Sequence, residues 1–170
     1  MEYGYGSCQA WWDDHFKYLN YLYHPLKNTW DVESWLEKGY RSEALNVGIY
    51  NMSQPMPSYS DRFFTLFNWQ NIGIAYACMR PGELLPTHSD HYIDYKKRFN
   101  LSNSTNIYRA VVFLEDWKSG HYFEIEGQGL VNWKRGDYVW WQNQVKHSAG
   151  NIGTEPRFTL QITGTKHEKD

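Results

Sequence analysis

The segment LLPTHSDHY, residues 84–92, sets His88, Asp90 and His91 within four positions, between apolar Leu84 and Leu85 and an aromatic ring. Charge beside apolar residues is costly to bury unless it is paired or holds a metal. In a strand, residues two apart share a face, so His88 and Asp90 are expected to point one way and His91 the other. One imidazole and one carboxylate make a two-point chelate, which leaves a metal underbound. The best third donor is His147 in VKHSAGN, 57 positions beyond Asp90. Two histidines and one carboxylate are the donor set of non-haem Fe(II) oxygenases, with three positions left open for cosubstrate and oxygen. Zinc accepts the same donors, so residue types alone leave the metal open.

Arg157 narrows the choice. It opens RFTLQITG, ten residues after His147. A permanent cation facing into a β barrel is expensive unless it meets an anion, and its planar fork fits a carboxylate at two points. Thr159, two residues on and on the same face, adds a hydroxyl donor. Taken alone, His88 and Asp90 read as a surface ion pair. With His147 and Arg157 in this order they read as a metal and anion site. His91 and His121 are expected to be surface residues or supports, and His15, His24 and His167 carry no signal.

Two textures along the chain must position these residues. Residues 8 to about 45 show helical spacing: Trp12, Phe16, Leu19 and Tyr23 recur every three or four positions, and DVESWLEKGY starts on Asp31 as an N-cap. From about Asn71, short β-type runs alternate with turn residues: NIGIAYACM, ELLPTHSDHY, YRAVVFLED, HYFEIEG, GLVNW, DYVWWQN, KHSAGN and RFTLQITG. Residues 51–60 and 96–107 read as loops. About eight short strands predict a mainly β chain: a double-stranded β-helix (a cupin-like jelly roll) over 70–165, with helices of the 1–65 part packed outside it. The 170 residues fit one domain, 1–170.

Composition excludes several classes. A net charge of −2, with YKKRF the only basic cluster, gives no track for nucleic-acid phosphates, so no nucleic-acid partner is expected. No run is apolar enough to span a membrane, and the start of the chain lacks the features of a signal peptide. Cys8 and Cys78 fit no metal or disulfide spacing and read as reduced thiols, which predicts a cytoplasmic protein. Aromatic residues make up 18% of the chain, which suits a ring-filled core or an aromatic-lined pocket.

These residues and motifs resemble those of the Fe(II)- and 2-oxoglutarate-dependent oxygenases with a jelly-roll core. HSD matches the His-x-Asp motif, KHSAGN the distal histidine, and PRFT the 2-oxoglutarate arginine with its hydroxyl partner. AYACMRPGELLPTHSD and WKRGDYVWW are similar to the approaches to the two metal-binding segments. The texture is closest to the aspartyl/asparaginyl β-hydroxylase branch, where a PG segment, a strand like YRAVVFL, a turn like WKRGD and a His-Ser-Ala-x-Asn-like stretch follow in this order. Asp90 departs from that branch's peptide hydroxylases, which lack a carboxylate ligand, and matches its small-molecule hydroxylases. The resemblance implies that His88, Asp90 and His147 bind iron and carry catalysis. It implies that Arg157 holds 2-oxoglutarate with Thr159 or Tyr76 as hydroxyl helper, and that Arg109 reaches the cosubstrate's other carboxylate or the substrate. The implied reaction uses Fe(II), 2-oxoglutarate and O2 to hydroxylate an unactivated C–H bond.

The substrate stays open between an amino acid or related small molecule and a peptide residue, as in peptidyl Asp, Asn or Pro hydroxylases. A cupin-like metal protein of other chemistry is a further reading, in which Arg157 would have no carboxylate to meet. A non-catalytic ligand-binding jelly roll would have no use for the two histidines and the aspartate.

Overall fold

The computed structural model describes residues 1–24, 26 and 30–166; His167 lies outside them. Among the described residues, ten strands form two antiparallel sheets: β1 (Tyr3–Ser7), β2 (Gly48–Asn51), β3 (Gln70–Met79), β4 (Leu84–His88), β5 (Ile107–Phe113), β6 (His121–Ile125), β7 (Gln128–Leu130), β8 (Asp137–Gln142), β9 (His147–Asn151) and β10 (Arg157–Thr165). The larger sheet has the order β1-β8-β5-β10-β3-β2, and the smaller β4-β9-β6-β7. The fold is the expected mainly β, double-sheet jelly roll.

Strand alternation explains what each face of the larger sheet does. On β3, β5, β8 and β10, one parity points between the sheets, where Val111, Phe113, Val139 and Trp141 pack against Phe123 and Ile125 of the smaller sheet. The other parity, with Ile74, Tyr76, Ala110, Val112, Leu160 and Ile162, faces outward. Trp12, Phe16, Tyr50 and Phe63 from the N-terminal part cover it. Because both faces of this sheet are buried, β3 from Ile72 and β5 are apolar almost throughout, whereas β10 alternates inward polar residues with outward apolar ones.

The N-terminal part departs from the predicted helices. Residues 8–22 hold a single 3-10 turn, Asp14–Tyr18, started by the Asp13 side chain accepting from the His15 amide. The aromatic spacing there marks burial, since Trp12 and Phe16 are indeed in the core, but not a helix. A second 3-10 stretch spans Ser58–Thr65, within the covering layer. The true helix is α1 (Trp30–Glu37), where the DVESWLEKGY segment was expected to be helical. Two strands, β1 and β2, also come from this part and complete the edges of the larger sheet, where only helices were expected. A second helix, α2 (Ile93–Arg98), follows the histidine-aspartate segment and runs into the 96–107 stretch expected as a loop.

One turn shows why its residue type is needed. Gly136 has φ +98°, and a Cβ there would lie 2.3 Å from the Cys8 carbonyl oxygen. A glycine lets the chain turn into β8 beneath the N-terminal segment. No helix among the described residues is long and apolar enough to cross a membrane.

Candidate metal centre

β4 and β9 are neighbours in the smaller sheet, and their register makes His88 and His147 direct partners. The rings lie 4.4 Å apart, centroid to centroid. Asp90 does not share the strand with His88, as the two-residue spacing suggested. β4 ends at His88, and Asp90 sits in the irregular turn before α2, which folds its carboxylate back toward both imidazoles. Asp90 Oδ1 is 3.7 Å from His88 Nε2, and Oδ2 is 3.5 Å from His147 Nε2. One donor atom from each residue lies within 4.8 Å of the others. Donors at about 2.1 Å from one metal, at right angles, are about 3 Å apart, so a small contraction would seat an ion.

The imidazole tautomers also suit a metal. His88 Nδ1 donates to the Pro86 carbonyl at 2.7 Å, and His147 Nδ1 donates to the Val145 carbonyl at 3.1 Å. A carbonyl oxygen only accepts, so each Nδ1 bears the proton and each Nε2 turns a lone pair toward Asp90. Burial pulls the His147 pKa down to about 4, which keeps that ring neutral. Burial works the same way on His88, but the Asp90 carboxylate outweighs it and raises that pKa. For Asp90 itself, burial favours the neutral acid, yet Arg109 and the two histidines hold the carboxyl far below its ordinary range. Trp35 of α1 meets the His88 ring edge-on at 5.7 Å, and Trp141 lies 4.5 Å from the His147 ring. The centre is thus walled by aromatic rings on two sides.

A cavity between the sheets holds this cluster at one wall and Arg157 at another. Its volume is about 60 Å³. That is room for roughly four to six waters, the scale of one small organic acid. Arg157, Thr159 and Gln161 alternate along β10, so all three face inward. Arg157 is 5% exposed, and among the described residues no carboxylate pairs with it. Among the described residues its Nε is buried without a hydrogen-bond partner, and Nη1 makes a long 4.0 Å approach to Met79 Sδ. The rings of Phe113, Phe123 and Trp133 surround it at 5.7–5.9 Å. Burial alone lowers its pKa to about 10.

The remaining residues singled out from sequence fall elsewhere. Tyr76 is on the outward parity of β3: it is fully buried under the N-terminal layer, with its hydroxyl 2.6 Å from Ser60 Oγ. It is therefore no helper to an anion in the cavity, which Ala77 and Met79 of the same strand line instead. Arg109 lines the cavity but is committed: Nη1 donates to Asp90 Oδ2 at 2.9 Å, and Nε donates to Thr163 Oγ1 at 3.2 Å. His91 pairs with Asp31 of α1 at 2.9 Å, and His121 is buried against the Glu155 carbonyl. Sequence reasoning missed Gln161, although its parity with Arg157 and Thr159 was a sufficient signal. It also missed Val47, which reaches the cavity from the N-terminal part and has no motif to mark it.

Sequence comparison finds no matching family model and no matching curated protein. Several solved structures are similar in shape. A Pseudomonas putida prolyl-4-hydroxylase matches with a TM-score of 0.56 at 15% identity, over 80% of this chain and 82% of that one. The plu4264 protein from Photorhabdus luminescens matches with a TM-score of 0.45 at 14% identity, over 71% and 76%. An uncharacterized protein with a double-stranded β-helix domain from Klebsiella pneumoniae matches at 0.40 and 13% identity, over 61% and 76%. At these identities the likeness is one of fold: the chain is a jelly roll whose two sheets enclose a His–Asp–His cluster able to hold a metal ion.

Proposed function

We propose that the chain is an Fe(II)- and 2-oxoglutarate-dependent dioxygenase, related to the aspartyl/asparaginyl β-hydroxylase branch, that hydroxylates a C–H bond of an amino acid or similar small molecule. The observation that supports this most is Arg157, a buried guanidinium with no anionic partner among the described residues, in the same small cavity as the triad. A cation so placed is a cost the fold bears unless a ligand supplies the counter-charge. With a divalent ion bound, Asp90 and Arg109 cancel, and the metal and Arg157 leave a charge of +3 for a ligand to offset. A dicarboxylate with one carboxylate at Arg157 and its other end on the metal offsets two of these three charges.

Iron and 2-oxoglutarate bound there would supply the oxidising chemistry: one O2 is consumed, 2-oxoglutarate becomes succinate and CO2, and the substrate C–H becomes C–OH. The chain's own residues do the rest. Arg157 receives a carboxylate at two points and Thr159 adds a hydroxyl donor. His88, Asp90 and His147 would hold the ion. Phe123, Val111 and Trp141 give the cavity one apolar wall. The N-terminal part closes on the centre through Val47 and Trp35. Such closure suits a small substrate better than an extended peptide, which needs a groove with free strand edges. The cysteines Cys8 and Cys78 are both free, in keeping with action in the cytoplasm.

The test is a turnover assay in which free amino acids and matching peptides are offered with Fe(II), 2-oxoglutarate and O2. Succinate should form, and one free amino acid should gain a single oxygen atom by mass spectrometry. Hydroxylation confined to a residue inside a peptide would overturn the substrate class, and no Fe(II)-dependent succinate from any substrate would overturn the activity.

A further inference from the structure

Arg109 is 19 positions from Asp90 in sequence and is held against it by three separate contacts. Its Nη1 donates to Asp90 Oδ2, its Nε donates to Thr163 Oγ1, and its guanidinium lies over the Tyr92 ring at 4.7 Å. Tyr92 reaches that position from a left-handed backbone, φ 55°, two residues after Asp90. A bulky residue there is strained by about 1–3 kcal/mol, and such strain persists only where the surroundings fix it. The turn that delivers Asp90 to the histidines thus also delivers the ring that caps Arg109.

The atoms engaged matter. Arg109 donates to Oδ2, which also lies 3.5 Å from His147 Nε2, while Oδ1, 3.7 Å from His88 Nε2, has no arginine contact. A carboxylate with both oxygens free can chelate an ion through both, which uses up one coordination position. We propose that Arg109 is a positioning residue that holds Asp90 as a one-oxygen ligand through Oδ1, so that three positions on the metal stay open. This rests on the metal part of the reading above and not on 2-oxoglutarate or turnover. Arg109 accordingly does not take the substrate or cosubstrate carboxylate, and Arg157 is the guanidinium of this cavity that remains free for one.

Charge and positioning predict opposite results, which makes the inference testable without activity. Arg109 is a cation beside the metal site, so if only its charge counted, removing it would tighten metal binding. If it positions Asp90, removing it loosens binding, because partners that orient a metal ligand typically contribute 10–100-fold in affinity. The measurement is a titration of the metal-free protein with Co(II) alone, followed by quenching of tryptophan emission and by the Co(II) visible spectrum. Arg109→Met and Arg109→Lys should each weaken Co(II) binding about tenfold or more and alter the visible spectrum. The lysine keeps a charge but cannot contact Asp90 and Thr163 together. Thr163→Val, which removes only the Nε acceptor, should weaken binding by a smaller factor, about threefold, and serves as the test should either Arg109 variant fail to fold. Tighter binding by Arg109→Met, wild-type affinity and spectrum in Arg109→Lys, or an unchanged Thr163→Val where it alone folds, would overturn the inference and leave the metal site standing. Absence of Co(II) binding by the wild-type chain would instead remove the metal reading and this inference with it.

Discussion

Replacing Arg157 by methionine separates an anion anchor from a structural side chain. Burial alone draws the guanidinium pKa from 12.5 to about 10. At 1.36 kcal/mol per pKa unit, the charged form bears a burial cost of about 3 kcal/mol. The three rings at 5.7–5.9 Å return about 1 kcal/mol of that as cation–π attraction. Methionine keeps an apolar stem against Phe113 and Phe123 and removes the charge. The ligand-free variant should therefore be as stable as the wild type or up to about 2 kcal/mol more stable, roughly 4–8 °C in midpoint. Ligand response should move the other way. With Mn(II) present, 2-oxoglutarate at 100 times its Kd stabilises the wild type by about 2.7 kcal/mol. The same concentration should leave the variant near its ligand-free midpoint, since losing a buried bidentate charge pair costs roughly 2–5 kcal/mol. Thermal unfolding with and without the two ligands reads both effects. A variant destabilised by about 2 kcal/mol without ligand, yet shifted by 2-oxoglutarate as much as the wild type, would show that the guanidinium serves the fold and not an anion.

Three further outcomes are expected. His88→Ala, Asp90→Asn and His147→Ala should each abolish metal-dependent turnover and lower Mn(II) affinity at least tenfold, with far-UV circular dichroism unchanged; full succinate formation by His147→Ala would remove that residue from the centre. Because the folded-state pKa of His147 is about 4, below the unfolded value of 6.5, the unfolded chain binds more protons in between, so this residue makes stability rise with pH over about 4–6.5. In the metal-free protein, His147→Gln should flatten that rise in urea unfolding, and an unchanged slope would contradict a neutral buried ring. Tyr76→Phe should leave turnover intact and cost about 1 kcal/mol of stability through the lost Ser60 bond; a raised 2-oxoglutarate requirement would place its hydroxyl in the site after all.

Sequence reasoning succeeded where one physical rule decides an outcome and failed where two elements meet. Residue parity on β10 placed Arg157 and Thr159 on one inward face, because a strand leaves no other choice. The same rule gave no guidance for Tyr76: β3 is buried on both faces, so apolar residues on either side hide which parity faces the cavity. The spacing of Trp12 and Phe16 reported burial correctly but not backbone type, since a 3-10 turn and extended chain can bury the same rings over a sheet. Asp90 was expected to join His88 by sharing its strand; it joins from a turn, through the left-handed Tyr92, a conformation that residue types alone would argue against. The Arg109–Asp90 pair was illegible for a simpler reason. It links a strand of the larger sheet to a loop leaving the smaller one, and only the packing of the two sheets brings them within 2.9 Å.

A metal and a dicarboxylate sharing one cavity would be read directly by an oxygen-free visible titration. Fe(II) and 2-oxoglutarate added together to the wild-type chain should produce a weak metal-to-ligand charge-transfer band that neither gives alone. The band should be absent in His147→Ala and should require far more 2-oxoglutarate in Arg157→Met. No band in the wild-type protein, or one that appears equally in Arg157→Met, would contradict the shared site.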